Sequence, residues 1–248
     1  MMKQSKIFEG NRMKFYLEDF RNILPLKNIQ TVIVDPPYNI NFNYGKNFKD
    51  FIDPEDYKQL IYEVAYLSYK STKRDSSMFI INYPEIIAEL FQTLKKTKWN
   101  IHQLISWVYP SNIGHSDRKF TTAHRSILWL VKDNPKIYID RVTQPYKNPS
   151  DRRVRKLIES GKTGTHLYNW WEINLVKNVS KDKQLYVNQI PSKLLERLIL
   201  STTDARNIVL DPMCGTGSSL VVASKLKRRG VGIDINNDLT TIWENHIK

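Results

Sequence analysis

Short β-branched apolar runs alternate along this chain with stretches of helical period, and that order points to a mostly parallel sheet with helices on its faces. The first run, Gln30-Thr31-Val32-Ile33-Val34-Asp35, has the apolar continuity of a strand buried on both sides, and it stops at Pro36-Pro37. Asp53 followed by Pro54 opens a helix in which Leu60, Val64 and Leu67 recur at helical spacing. Strands are predicted at 77–82, 101–108 and 126–131, with a helix at 84–95 between the first two. From 132 to 186 the composition turns to Pro, Asn, Lys, Arg and aromatic residues, with DNP, NPSD and SGKTG as turn signals. The alternation then resumes with a helix at 191–200, a strand at 207–210, a helix at 218–227 and a strand at 230–234. Residues 1–131 and 187–248 therefore read as one α/β domain with a Rossmann-like layout, and 132–186 as an insertion.

The 248 residues are 41% hydrophobic, enough for one domain with a sizeable core plus an insert. Lys and Arg number 38 against 25 Asp and Glu, a formal charge of +13, and so positive a surface attracts polyanions, nucleic acid first among them. Cys214 is the sole cysteine, which excludes an internal disulfide, and the five histidines lack any zinc-ligand spacing. The N-terminal stretch and the rest of the chain lack an apolar run of signal-peptide or membrane-span character. These features fit a soluble protein of the reducing cytoplasm and show no zinc-ligand pattern.

Two segments carry chemistry. In the first, the apolar strand Val209-Leu210-Asp211 enters the turn Pro212-Met213-Cys214-Gly215-Thr216-Gly217 and a helix opens at Ser218. Glycines at 215 and 217 remove Cβ atoms where a cofactor passes the strand end, and the helix start offers N–H groups to an anion. Asp234 ends the next strand, where an acidic residue would bind ribose hydroxyls. An ordinary capped strand-to-helix turn is the plain alternative. A nicotinamide enzyme is disfavoured because the loop lacks the full GxGxxG spacing.

The second segment is Asp35-Pro36-Pro37-Tyr38-Asn39, at the carboxyl end of its strand, where open α/β sheets bind ligands. Two prolines fix the backbone and remove two donors, leaving carbonyls as acceptors beside a carboxylate and an aromatic ring. Such a set suits an aromatic amine. Asp35 and the Pro36 carbonyl would accept its N–H groups, favouring a lone pair localised towards an electrophile. Tyr38 would stack on the base, a contact worth about 1–3 kcal/mol in nucleic-acid binders. A target amine inside a duplex is out of reach of such a pocket, so its nucleotide must be extruded. Taken alone, the motif also reads as a proline-rich turn.

Together the two segments resemble the amino-group DNA methyltransferases, in which a D-P-P-Y motif accompanies a loop of the type D-P-F-x-G-S-G, here DPMCGTGS. The catalytic motif precedes the cofactor motif, with a variable segment between them, so the motif order is permuted and resembles the β-class. The segments QIPSKLLERLI and NWWEINLVKNVSKDK are further matches, so the resemblance spans essentially the whole chain. It implies a methyltransferase fold that binds S-adenosylmethionine and transfers methyl directly, without a covalent enzyme intermediate or a metal, so Cys214 is no nucleophile. By position, Asp35, Pro36, Pro37 and Tyr38 would form the catalytic motif. Asp35, Asp211, Pro212, Met213, Cys214, Gly215, Thr216, Gly217, Ser218 and Asp234 would line the cofactor site, with Pro191 and Ser192 closing another wall. The chain departs from the family pattern at Gly10-Asn11, where Asn11 stands for an Asp that contacts the cofactor adenine, at Met213 for Phe, and at Ile190 for Lys.

Duplex DNA is the expected partner, and a homodimer the expected assembly. Arg118 and Lys119, with Arg152, Arg153, Arg155 and Lys156 in the insertion, are phosphate-contact candidates. The second group also has the helical spacing of a solvated face. Trp170-Trp171 reads as packing rather than base stacking. D-P-P-Y is associated in this family with N6 of adenine in a restriction-modification setting. N4 of cytosine, an RNA substrate and a non-catalytic DNA-binding subunit are the competing readings.

Overall fold

The computed structural model describes residues 5–39, 52–110, 117–176 and 189–248. Its strands are β1 (Lys6–Gly10), β2 (Met13–Leu17), β3 (Ile29–Val34), β4 (Thr72–Asn82), β5 (Asn100–Val108), β6 (His124–Val131), β7 (Thr143–Gln144), β8 (Thr165–His166), β9 (Trp170–Glu172), β10 (Ile208–Asp211) and β11 (Arg229–Asp234). Its helices are α1 (Phe20–Ile23), α2 (Pro54–Ser71), α3 (Pro84–Lys95), α4 (Arg152–Glu159), α5 (Ser192–Thr202), α6 (Ser218–Lys225) and α7 (Thr240–Ile247). Asp53 caps α2 through the Glu55 amide, as its place before Pro54 predicts.

Nine strands form one sheet in the order β1-β2-β11-β10-β3-β4-β6-β5-β9. The run β2-β11-β10-β3-β4 is parallel, whereas β1 pairs antiparallel with β2, and β6 lies antiparallel between β4 and β5. The chain leaves β3 towards one edge and β10 towards the other, so these adjacent strands mark the point where the strand order reverses. Loops that diverge there open a crevice at the carboxyl ends of the strands.

β3 is buried at every position, consistent with layers on both faces. One core packs α2 and α3 through Ile61, Val64, Ile87 and Leu90, and the other packs α5 and α6 through Leu194, Leu198, Val222 and Ala223. A third cluster joins Phe8 and Phe15 of the β1-β2 hairpin to Leu220 and to Trp243 of α7. Within 132–176, β7 and β8 form a small hairpin carrying α4, and β9 extends the main sheet beside β5. Trp171 is accordingly core, while Trp170 faces outward and stacks on Tyr168, as alternation along a strand requires.

Candidate active site

Asp35 follows the last residue of β3 and Asp211 ends β10, and both line one cavity of about 480 Å³ at the reversal point. Around it lie the carboxylates of Glu18, Asp19, Asp35, Asp211 and Asp234. Arg21 also lines it but is engaged by Asp19 and Glu63. Met213, Ile190 and Leu239 supply apolar wall. A molecule with an excess of basic residues therefore encloses an acidic pocket.

Each carboxylate is held differently. Asp234 accepts the Gly215 and Asn236 amides, both at 2.9 Å, and its pKa is raised by burial against the pull of those bonds. Asp211 accepts Ser219 Oγ and the Met213 amide, yet burial pushes it up to about 7. Asp35 is pushed up to about 6, again by burial, with Arg125 and the Tyr38 hydroxyl opposing the shift. Burial also raises the Cys214 thiol, which keeps it protonated and unreactive.

The 211–218 loop is clamped from beneath by α7. Trp243 Nε1 donates to the Gly215 carbonyl at 2.9 Å, and His246 Nε2 lies 3.1 Å from the Thr216 carbonyl. Gly215 has φ +50° and lines the cavity, with open space where a Cβ would sit. Gly217 answers a different need. Its φ is +83°, it caps α6, and a Cβ there would come within 2.5 Å of the Phe15 ring. It seats the helix on β2 rather than clearing a path for a ligand.

The Asp35-Tyr38 segment is equally fixed. Tyr57 of α2 donates to the Pro37 carbonyl at 2.8 Å and accepts from the buried Asn82 side chain. Tyr38 is 2% exposed, and its hydroxyl donates to Asp35 at 2.8 Å while accepting from Arg125 at 2.6 Å. The ring is thus packed within the protein, yet Tyr38 borders the cavity together with Asp35, Pro36, Pro37 and Asn39.

Of the predicted cofactor residues, Asp35, Asp211, Pro212, Met213, Cys214, Gly215, Thr216, Ser218 and Asp234 all line the cavity. Gly217, Pro191 and Ser192 do not; Gln189, Ile190 and Leu195, near the last two, do. Asn11 is a correction. It sits in the β1-β2 turn before β2, and β2 runs parallel to β11 with Gly230 opposite Met13, so Asn11 lies at the amino end of the sheet. Its amide reaches the His246 carbonyl instead. The acidic residues near the N-terminus that do border the cavity are Glu18 and Asp19, at the carboxyl end of β2.

The basic candidates fall into two places. Arg118 and Lys119 are exposed on the connection leaving the carboxyl end of β5, the same end at which the cavity opens. Arg152, Arg153, Arg155 and Lys156 are exposed on α4, none of whose residues is buried. The stem of α4 is fastened elsewhere: Tyr138 and Arg141 bond to Asp204 and the Thr203 carbonyl, past the end of α5. The structure does not bring the two groups together. Part of NWWEINLVKNVSKDK lies outside the described residues, as does the start of the resumed domain at 187–188.

A Rossmann-like sheet with an acidic pocket at its reversal point, built from a Gly-containing loop and an Asp-Pro-Pro-Tyr turn, defines an α/β ligand-binding protein of the methyltransferase type. Residues 29–245 match the DNA methylase family of N6 and N4 methyltransferases, and the chain belongs to that family. It is similar to the Type II methyltransferase M.HpaI of Haemophilus parainfluenzae, 30% identical over 215 residues, covering 85% of this chain and 65% of that protein. It is also similar to the DNA adenine methyltransferase YhdJ of Escherichia coli K12, 29% identical over 227 residues, covering 87% of this chain and 74% of that one. The fold matches the crystal structure of the M1.HpyAVI-SAM complex with a TM-score of 0.68 at 19% identity, over 95% of this chain and 99% of that one. It also matches the PvuII DNA methyltransferase, cytosine-N4-specific, with a TM-score of 0.71 at 14% identity, over 98% and 90%.

Proposed function

We propose that this chain transfers a methyl group from S-adenosylmethionine to the N6 amino group of adenine in duplex DNA. The observation that carries the proposal is the meeting of Asp35, after β3, and the 211–218 loop, after β10, in one cavity. The cavity volume is in the range of small-ligand sites. The residues fit the cofactor's charge, because a sulfonium and an ammonium set against one carboxylate leave a cation, and five carboxylates border the space. Asp234, with acceptor capacity beyond that engaged by the backbone amides of Gly215, Ile235 and Asn236, is assigned to ribose hydroxyls. Asp19, rather than Asn11, is assigned to the adenine end.

S-adenosylmethionine supplies an electrophilic methyl on a sulfur that leaves with the bonding pair. The protein's part is to prepare the amine. Tyr57 occupies the Pro37 carbonyl, so the acceptors assigned to the amine are Asp35 and the Pro36 carbonyl. As the N–C bond forms, the amine must lose a proton. A carboxylate with its pKa pushed up to about 6 is ionised at neutral pH and basic enough to take it. Tyr38 borders the same cavity while its hydroxyl is held between Asp35 and Arg125, so we assign its hydroxyl to holding Asp35 and its ring to stacking on the base.

Two observations bear on the base. The Asp-Pro-Pro-Tyr motif and a relative named as an adenine methyltransferase favour N6 of adenine. The PvuII likeness keeps N4 of cytosine as the second reading. The likeness to a Type II methyltransferase and to a DNA adenine methyltransferase favours DNA as the acceptor, and we assign Arg118 and Lys119, at the end of the sheet where the cavity opens, to its phosphates. Asp35→Ala is expected to abolish transfer while leaving calorimetric binding of S-adenosylmethionine within about threefold, since the loss falls on the transition state. Near-normal turnover would remove Asp35 from the chemistry.

A further inference from the structure

Arg125 is a buried cation that neither motif accounts for. It stands at the start of β6, directly opposite Trp107 of β5, is 4% exposed and does not line the cavity. Four rings enclose it: the guanidinium carbon lies 4.4 Å from the centroid of Tyr38, 5.6 Å from Tyr83, 5.2 Å from Trp107 and 5.8 Å from Tyr109. It forms no ion pair among the described residues, and its Nε has no hydrogen-bond partner there. A buried guanidinium without a direct ion-pair partner is costly, and the aromatic faces and the charge of Asp35 beyond ion-pair distance offset part of that cost. Two hydroxyls meet the guanidinium: that of Tyr109 is a side-chain hydrogen-bond partner, and that of Tyr38 leads on to the site. Nη1 donates to Tyr38 Oη at 2.6 Å, and Tyr38 Oη donates to Asp35 Oδ1 at 2.8 Å.

We propose that Arg125 is a positioning residue for methyl transfer: it holds the Tyr38 hydroxyl against Asp35 and through that bridge fixes the carboxylate that receives the target amine. The inference rests on the assignment of Asp35 to the amine. The groups that face this chain of contacts are Tyr38 from the turn after β3, Tyr83 at the start of α3, Trp107 from β5, Tyr109 just past its end, and Asp211 from β10, whose ionised form the Asp35 charge disfavours. Within this set Arg125 is the cation. It polarises the Tyr38 hydroxyl, strengthens its bond to Asp35 and favours the ionised carboxylate over the neutral acid. An arginine that merely filled the aromatic box would be replaceable by an apolar side chain of similar length without altering how the reaction depends on pH.

The test is the rate of labelled-methyl incorporation into mixed-sequence duplex DNA at saturating S-adenosylmethionine, from about pH 5 to about pH 9, for wild type, Arg125→Met, Arg125→Lys, Tyr38→Phe and Asp35→Asn. Wild type is expected to lose activity below a limb near the Asp35 value of about 6. Arg125→Met is expected to move that limb up by about one unit and to lower the rate at neutral pH about tenfold, with S-adenosylmethionine affinity within about twofold. Arg125→Lys should return the limb most of the way. A folded Arg125→Met enzyme with the wild-type limb and rate overturns the proposal. Where Arg125→Met does not fold, Tyr38→Phe keeps the arginine and the rings but cuts the bridge; the same upward shift supports the proposal and an unchanged profile overturns it. Asp35→Asn separates the two readings. Full turnover in that variant rejects the assignment of Asp35 itself, whereas an inactive Asp35→Asn beside an unaltered Arg125→Met rejects only the role of Arg125.

Discussion

Asp35 and Asp211 stand at the ends of neighbouring strands, and burial raises both, yet the two shifts predict different measurements. For Asp35 the readout is catalytic. Its carboxyl must be ionised to accept from an amine, so activity should fall as pH drops through about 6, and a limb near 4, the ordinary range for an aspartate, would contradict the assignment. For Asp211 the readout is stability. Its folded value of about 7 lies above its ordinary 3.8, so the folded state holds the proton more tightly than the unfolded chain does. The ionised form therefore opposes folding above about pH 7, and the penalty vanishes as pH falls towards 4. Asp211→Asn keeps an oxygen for the Met213 amide and removes the charge. The variant without cofactor should melt about 5 °C higher than wild type at pH 8, given about 2–4 °C per kcal/mol for a chain of this size, and the same at pH 4. Differential scanning calorimetry at the two pH values checks this; equal melting temperatures at pH 8 would reject the buried charge.

At the scale of elements, α7 is the support of the cofactor loop. Trp243 packs on Phe15 and donates to the Gly215 carbonyl, so Trp243→Phe should keep most of the packing and lose the hydrogen bond. We expect a dissociation constant for S-adenosylmethionine raised about fivefold, consistent with one lost hydrogen bond of about 1 kcal/mol, and little change in turnover at saturation. Little of this element was legible in the sequence: the segment is short and polar, and Trp243 is its only marked residue. The alternation of β3, α2, β4, α3, β10, α6 and β11 was legible because strands buried on two faces leave continuous apolar runs. The β1-β2 hairpin was not. It is half-exposed, its alternation is broken by Lys and Glu, and it turns on Asn11 and Arg12 at φ 50° and 64° rather than on a glycine pair. Without the hairpin, nothing in the sequence shows that Asn11 falls at the amino end of the sheet and that Glu18 and Asp19, after β2, border the cavity instead. Arg125 leaves a faint signal in the sequence: a lone cation opening the apolar run Ser126 to Val131 has no reason to be there unless something buried needs it.

The whole molecule sets a net charge of +13 against a pocket lined by carboxylates, a division that would draw DNA to the surface and a cationic cofactor to the interior. Because the two basic groups sit in different places, they are separable by experiment. Arg118→Gln with Lys119→Gln, beside the cavity end of the sheet, should raise the KM for DNA and reduce the salt slope by about 0.9 for each lost phosphate contact. The same exchange at Arg152, Arg153, Arg155 and Lys156 tests whether α4 touches DNA at all; an unchanged salt slope would leave it a solvated helix. Neither set should alter binding of S-adenosylmethionine. The central claim is the transfer itself, and the direct measurement is to incubate the purified protein with duplex DNA and methyl-labelled S-adenosylmethionine, then digest the DNA to nucleosides for mass analysis. Label in N6-methyladenine, absent with Asp35→Ala, is the expected result; label confined to N4-methylcytosine would contradict the assigned base, and unlabelled DNA from a protein that still binds the cofactor would contradict the proposed reaction.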